Sequence, residues 1–410
     1  MGKHIIEEAS RCLQCKKPLC SKGCPISTPI SEVIKLLLDG KTYEAGELLF
    51  NNNPLSVVCS LICPHENFCE GHCILGKKSS PIQVSDIENY ISRYYLEHMP
   101  LKKQTHSNNG KKIAIVGSGP AGITVAFILA SNGFDVTIFE SEDKIGGVLQ
   151  YGIPDFRLPK NLLVQLKKML ERLGVKIRPN MVIGPIITLE DLLRDGYKAI
   201  FIGTGVWSPK PLRIKGETLG NVHYAINYLK NPNVYSLGRR VIVIGAGNVA
   251  MDVARTARRK GAEEVTVIYR RGEENMSATK YEYEYAKIDG VAFQFYTAPL
   301  AIEDDGIRCI TTRLEEQDGS VRLVSVEGSE HFREADTVFI AASQAPRDNL
   351  SGIEVGKTGL IITNEDGRTT REGVFASGDV VTGAKTVAEA VNLSKRSARA
   401  IMDYVATLKE

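Results

Sequence analysis

The stretch Ile113-Ala-Ile-Val-Gly-Ser-Gly-Pro-Ala-Gly122 decides the fold of most of this 410-residue chain. Its apolar, β-branched start reads as a strand, and the residues after Gly122 read as a helix. Between them lies Gly-x-Gly-x-x-Gly. In such a strand–turn–helix, Gly117 makes the turn, Gly119 lets an anion approach the backbone, and Gly122 lets the helix pack on the strand. Pro120 and Ala121 then open a helix whose free N–H groups and dipole hold a pyrophosphate. The next apolar strand, 136–140, ends in Glu140, a carboxylate able to accept both hydroxyls of a ribose, as FAD or NAD requires.

The pattern recurs. Val241-Ile-Val-Ile-Gly-Ala-Gly-Asn-Val-Ala250 carries Gly245 and Gly247, with Ala250 in the place of the third glycine. Its second strand, read as 265–271, ends in Arg270 and Arg271 instead of a carboxylate. Guanidinium groups bind a 2′-phosphate that a carboxylate would repel, so this site is expected to take NADPH, with NADH the alternative. A third glycine signal, Gly373-Val-Phe-Ala-Ser-Gly-Asp379, follows the second copy. The first nucleotide domain is therefore expected to be interrupted and resumed: 109–235 and 345–410 for FAD, 236–344 for the nicotinamide cofactor. That organisation is similar to the two-dinucleotide-binding flavoproteins. Some of these reduce a Cys-x-x-Cys beside the flavin, but no such pair follows residue 73 here, and Cys309 stands alone as an inert thiol.

Eight of the nine cysteines lie between Cys12 and Cys73. They run Cys12-x2-Cys15-x4-Cys20-x3-Cys24-Pro25 and then Cys59-x3-Cys63-Pro64-x4-Cys69-x3-Cys73. The close series ending in Cys-Pro resembles the ligand run of bacterial ferredoxins, in which the last cysteine serves the other cluster, and iron–sulfur is preferred over zinc or disulfides. On that crossing, Cys24 joins Cys63, Cys69 and Cys73, while Cys12, Cys15 and Cys20 lack a fourth ligand that Cys59 or a carboxylate could supply. Residues 1–108 are expected to form a helical iron–sulfur domain, with a helix at 31–38 opened by Pro29 and closed by Gly40, and a polar linker at 102–110.

Composition sets the remaining bounds. With 43% hydrophobic and 24% charged residues, the chain is a globular, multi-domain protein. A net charge of +3 from 51 basic and 48 acidic residues suggests neither nucleic acid nor membrane as a partner. The N-terminus lacks an apolar signal core, so a cytoplasmic protein with reduced thiols is expected.

Further stretches carry a more specific resemblance: Glu8-Ala-Ser-Arg-Cys-Leu-Gln-Cys15, Gly146-Gly-Val-Leu-Gln-Tyr-Gly-Ile-Pro-Asp-Phe-Arg-Leu-Pro159, Tyr269-Arg-Arg271 with Glu274-Asn-Met276, and Ala376-Ser-Gly-Asp379. With the cysteine spacing, they make essentially the whole chain resemble the small subunit of bacterial NADPH-dependent glutamate synthase and the electron-input part of dihydropyrimidine dehydrogenase. The resemblance implies an α/β fold with an N-terminal α-helical domain and a split FAD domain around an inserted NAD(P)H domain. It implies FAD, a nicotinamide cofactor and two [4Fe–4S] clusters. It also implies that Glu88 is the fourth ligand of the first cluster, which is preferred to Cys59. Gly119 to Gly122, Glu140, Gly147, Leu149, Arg157, Val182, Gly378 and Asp379 match FAD contacts, and Thr386 and Val387 begin a helix facing the flavin ring. Asn248, Val249, Arg270, Arg271, Ala341, Ala342 and Ser343 match the nicotinamide side, although Ser343 stands where the family usually has Gly.

The expected function is electron input from NADPH to a larger catalytic subunit of glutamate synthase or dihydropyrimidine dehydrogenase type. An autonomous NAD(P)H:acceptor or ferredoxin oxidoreductase, an electron-bifurcating form included, is the rival enzyme reading, and a redox-sensing scaffold the non-enzyme one. Cofactors carry this chemistry, so no catalytic side chain is nominated.

Overall fold

A computed structural model describes residues 2–99, 109–317 and 320–408. They form two compact units, Met1–Gln150 with Asp155–Val206 and Ala345–Glu410, and Tyr151–Pro154 with Trp207–Gln344.

In the first unit residues 2–99 are helical, as expected. The helix Ile30–Leu38 buries Ile30, Val33, Ile34 and Leu37, the i, i+3, i+4, i+7 stripe of an amphipathic helix, and Gly40 follows at φ 75°. That stripe joins Leu49 from helix Thr42–Asn52 and Ile87 and Ile91 from helix Val84–His98 in one apolar core. Fully burying each such side chain stabilises by roughly 1.5–3 kcal/mol. The polar linker expected at 102–110 lies almost wholly outside the described residues.

The rest of the first unit is a parallel sheet ordered Val374–Ala376, Tyr197–Ile202, Lys112–Val116, Asp135–Phe139 and Lys176–Arg178. Its central strands are buried along nearly their whole length, as a sheet covered on both faces requires. The first strand in the order comes from after the inserted unit, so the expected interruption and resumption of this sheet is present.

The second unit has its own parallel sheet, ordered Val222–Tyr224, Thr337–Ile340, Arg240–Ile244, Glu264–Ile268 and Ala292–Gln294. An antiparallel sheet of Thr297–Glu303, Gly306–Gln317, Ser320–Ser325 and His331–Glu334 belongs to the same unit. The unit begins at Trp207, not at the expected 236. Val222–Tyr224 pairs with Val338–Ile340, and the glycine motif that guided the expectation marks only a central strand, with no signal for the edge strand preceding it. The second strand of the repeat also ends earlier than read, at Ile268, leaving Arg270 and Arg271 in the loop beyond it.

Candidate functional site

Gly117 sits at φ 95° where the strand Lys112–Val116 turns into the helix Pro120–Ser131. A side chain on Gly122 would place its first carbon 2.0 Å from the Gly117 carbonyl oxygen, so only glycine permits this close turn. Glu140 is buried beside the turn. One of its oxygens accepts from the Ser118 backbone N–H at 2.9 Å and from the Ser118 hydroxyl, and the other accepts from the Glu142 N–H at 2.9 Å. The carboxylate expected to reach a ribose is thus locked to the glycine turn by its own backbone neighbours.

Other expected FAD contacts gather around the same turn. Gly146 N–H donates to the Ser118 carbonyl at 3.0 Å, which brings Gly147 and the buried Leu149 alongside. Met181 N–H donates to the Glu140 carbonyl at 2.8 Å, which places the exposed Val182 next to it. A methyl group on Gly378 would lie 3.0 Å from Ala121 Cβ, so Asp379 begins its short helix against the start of the glycine-turn helix. Burial raises the Asp379 carboxyl to about 6. Arg157 is half-buried in the stretch before helix Asn161–Arg172.

Thr386 caps the 21-residue helix Val387–Thr407 in a reciprocal box, its hydroxyl accepting from Glu389 N–H at 3.2 Å while the Glu389 carboxylate accepts from Thr386 N–H at 3.0 Å. This helix packs along Pro120–Ser131.

In the second unit the glycine turn leads from Arg240–Ile244 into helix Asn248–Arg259, with Val249 packed on the unit's core. Asn248 Oδ1 accepts from Thr279 N–H at 3.0 Å, fixing the loop that carries Arg270 to Ser277. Ala341 N–H donates to the Ile244 carbonyl at 2.9 Å, so Ala341, Ala342 and Ser343 lie beside Gly245. Arg270 and Arg271 are both exposed, and among the described residues neither guanidinium pairs with a carboxylate. By contrast, Arg255 is buried in ion pairs with Glu282 at 2.8 Å and Asp289 at 2.9 Å, a structural use of arginine. Ser343 has φ 95°, a backbone conformation that suits glycine, so the departure noted in the sequence is a strained position. The tyrosines of helix Lys280–Ile288 fall on both faces, Tyr283 buried and Tyr281 exposed, with the Arg255 guanidinium 5.1 Å from the Tyr285 ring. Cys309 is buried, and burial pushes its thiol up to about 11, as an inert thiol should be.

The cysteine region departs from the expected grouping. Burial pushes the Cys12 and Cys20 thiols up, and the neighbouring sulfurs Cys15 and Cys73 add to this on Cys12, as do Cys73 and Cys12 on Cys20. Cys73 therefore lies near Cys12 and Cys20. The cause is a clamp: Arg11 donates to the Ser80 carbonyl at 2.6 Å and to its hydroxyl at 3.0 Å, drawing the segment after Cys73 against the residue before Cys12. Gly23 completes it, since a side chain there would collide with the His72 ring at 2.4 Å.

Glu88 stands in the other group. Cys63 is pushed well up by its hydrogen bond with Cys59, by burial and by Glu88, and Cys69 by burial, Glu88, Glu70 and Cys24. Burial and Glu70 raise the Glu88 carboxyl to about 8, and it makes no hydrogen bond among the described residues. Helix Val84–His98 aims it there: Asn89 donates to the Ser60 hydroxyl at 3.0 Å and Ser92 to the Ser56 hydroxyl at 3.0 Å, zipping this helix onto Ser56–Ile62 just ahead of Cys63. Cys59 is buried and hydrogen-bonded to Cys63. Cys12, Cys15, Cys20 and Cys73 are thus near neighbours, and so are Cys24, Cys63, Cys69 and Glu88. A part-buried carboxylate with no hydrogen-bond partner among the described residues, close to thiols, is a donor set that an iron–sulfur cluster with one oxygen ligand could use, so the residues fit the group.

Residues 1–99 match dihydropyrimidine dehydrogenase domain II with its 4Fe-4S cluster, and residues 111–393 match the pyridine nucleotide-disulphide oxidoreductase family. The chain is 34% identical to the glutamate synthase [NADPH] small chain of Escherichia coli K12, over 97% of this chain and 91% of that protein. The chain belongs to the glutamate synthase small-chain family. It is an iron–sulfur flavoprotein oxidoreductase, with FAD, a nicotinamide cofactor and 4Fe-4S clusters as its cofactors. It is also 35% identical to the beta subunit of the NADP(+)-dependent formate dehydrogenase of Moorella thermoacetica, over 94% of this chain and 60% of that protein. Mycobacterium tuberculosis FprA in complex with NADPH shares the flavoprotein fold, with a TM-score of 0.63 at 20% identity over 73% of this chain and 85% of that one. Among the described residues no helix is long and apolar enough to cross a membrane.

Three residues of this family member escaped the sequence reading: Thr28, Asn52 and Lys395. Lys395 Nζ donates to Asn52 Oδ1 at 2.8 Å, Asn52 Nδ2 to Thr28 Oγ1 at 3.5 Å, and Thr28 Oγ1 lies 3.3 Å from Cys24 Sγ. No motif signals them, because they lie 343 and 24 residues apart in sequence and meet only in the folded unit.

Proposed function

We propose that the chain is the electron-input subunit of an oxidoreductase complex, taking electrons from NADPH and delivering them through its two clusters to a partner protein. When bound, the flavin converts two-electron hydride chemistry into single-electron steps that iron–sulfur clusters can relay. The observation that carries the reading is the contact of Lys395, on helix Val387–Thr407, with Asn52 beside Cys24, reinforced by the edge-to-face packing of Phe50 on Phe127 at 5.2 Å. These contacts join the cysteine region to the two helices that carry the expected flavin contacts. The group containing Cys24 is then the one next to the flavin domain, and the group containing Cys12 is the outer one.

The residues divide the work. Glu140 and Asp379 would orient FAD, the glycine turn would hold its pyrophosphate, and Arg270 and Arg271 would select the 2′-phosphate of NADPH. Cys24, Cys63, Cys69 and Glu88 would hold one cluster, and Cys12, Cys15, Cys20 and Cys73 the other. That relatives include both a glutamate synthase chain and a formate dehydrogenase subunit supports an input module whose partner defines the final substrate.

Electron paramagnetic resonance of the purified chain after NADPH addition tests the reading. Two reduced cluster signals are expected, with the signal of one set altered in Glu88→Ala. NADPH oxidation with an artificial dye but no cluster reduction would overturn it.

A further inference from the structure

We infer that the surface over the outer cysteine group, built from the Cys12–Cys20 loop and the Cys73–Lys78 turn, is a docking face for the acidic surface of a protein carrying a one-electron centre. The inference rests on the electron-input reading above and names where electrons leave and what receives them.

Two separate segments build this face. The Arg11–Ser80 clamp and the approach of Gly23 to His72 hold them together, with Cys73 near Cys12 and Cys20. Each segment exposes large apolar side chains immediately beside its cysteines: Leu13 is 60% exposed, Leu19 43% and Ile74 45%. Among the described residues none of these three packs on the apolar core that the neighbouring Leu75 joins. An exposed apolar centre of this kind, ringed by charge, is the anatomy of a protein interface.

The charged side chains of these two segments have one sign. Lys16, Lys17 and Lys22 flank the first segment, and Lys77 and Lys78 the second, all exposed. Neither 11–24 nor 71–83 contains an Asp or Glu. Arg11 is already paired with Glu8 at 2.7 Å, so the lysines carry the unbalanced charge. In a chain of net charge only +3, five exposed lysines in no ion pair among the described residues, beside part-exposed cysteines, are a local bias that would attract an acidic partner and speed its encounter. A basic acceptor would be repelled.

The electrons balance without a further reactant. NADPH gives up a hydride and leaves as NADP+, a proton is released, and two electrons pass outward. Two acceptor molecules each take one, so that NADPH and two oxidised acceptors become NADP+, H+ and two reduced acceptors.

The test uses the full chain with its cofactors and an acidic plant-type ferredoxin as the probe acceptor, with the neutral quinone menadione as a small-molecule reference. Lys16→Glu with Lys77→Glu should lower kcat/KM for ferredoxin at least tenfold at low ionic strength. The wild-type advantage should vanish at high salt, and menadione reduction should stay unchanged. Leu13→Ala, which keeps the charge, should weaken ferredoxin reduction at every salt concentration. Ferredoxin reduction that is absent, or indifferent to salt and to charge reversal, overturns the inference. So does binding of the chain to anionic phospholipid vesicles that the same reversals abolish while ferredoxin reduction persists, since the face would then be a lipid site. Failure of NADPH to reduce either cluster would instead show in the resonance spectrum before any acceptor is added, and would remove the underlying reading.

Discussion

Lys395 Nζ donates to both the backbone carbonyl and the side-chain oxygen of Asn52, each at 2.8 Å. The two residues are 343 positions apart, and the bond ties the last long helix of the chain to the end of helix Thr42–Asn52. Onward from Asn52 the donors point one way: its amide to Thr28, and the Thr28 hydroxyl free to donate to Cys24. Hydrogen bonds to a ligand sulfur stabilise a cluster's added electron, and a chain that begins at an ammonium group strengthens that effect.

Thr28→Val keeps the buried shape and removes this donor. The cluster of Cys24 should then bind its electron about tenfold more weakly, a fall of about 59 mV for a one-electron couple, with the outer cluster unmoved. Redox titration followed by paramagnetic resonance separates the two. Lys395→Met should shift the same cluster in the same direction by less.

Replacing Arg270 and Arg271 together by Ala should lower the ratio of NADPH to NADH catalytic efficiency by about a hundredfold. Each charge-assisted bond to the 2′-phosphate contributes roughly 1.5–3 kcal/mol, and NADH makes none of them. Steady-state kinetics with both cofactors reads the ratio, and an unchanged value would refute the assignment.

Asp379 makes the flavin-free chain pH-sensitive. Burial raises its carboxyl from 3.8 to about 6, so the folded state binds the proton more tightly than the unfolded state does. Its contribution is fully present below 3.8 and is lost as the pH rises through 6. Asp379→Asn should therefore stabilise the flavin-free chain at pH 7, on the order of 2 kcal/mol, and flatten its denaturation profile between pH 4 and 6. The same change should weaken FAD binding, which flavin fluorescence would report.

Ser343→Gly should relieve the positive φ at that position. Strain of this kind costs about 1–3 kcal/mol, and the greater freedom of glycine in the unfolded chain takes back up to ~1 kcal/mol. A net gain in thermal stability is expected, against the usual loss for a glycine substitution.

Much of the architecture was legible along the chain because its signals are local. Gly117 to Gly122 must turn a strand into a helix within six residues, and Glu140 must follow at the end of the next strand, so spacing alone declares them. The same holds for the second copy. The start of the inserted unit was not legible, because Val222–Tyr224 is a short edge strand with no motif.

Ligand pairing is where tertiary structure took over. The spacing of Cys69 and Cys73 allows either to serve either cluster, since the turns from Pro64 to Cys73 have no helical or strand period to assign a face. The Arg11–Ser80 clamp turns Cys73 toward Cys12, and the serine and asparagine contacts of helix Val84–His98 turn Glu88 toward Cys63. From residue types and spacing the sequence determined which chemistry this protein performs and which side chains are available for it. Which of them meet was decided by contacts between segments far apart in the chain, which no local pattern encodes.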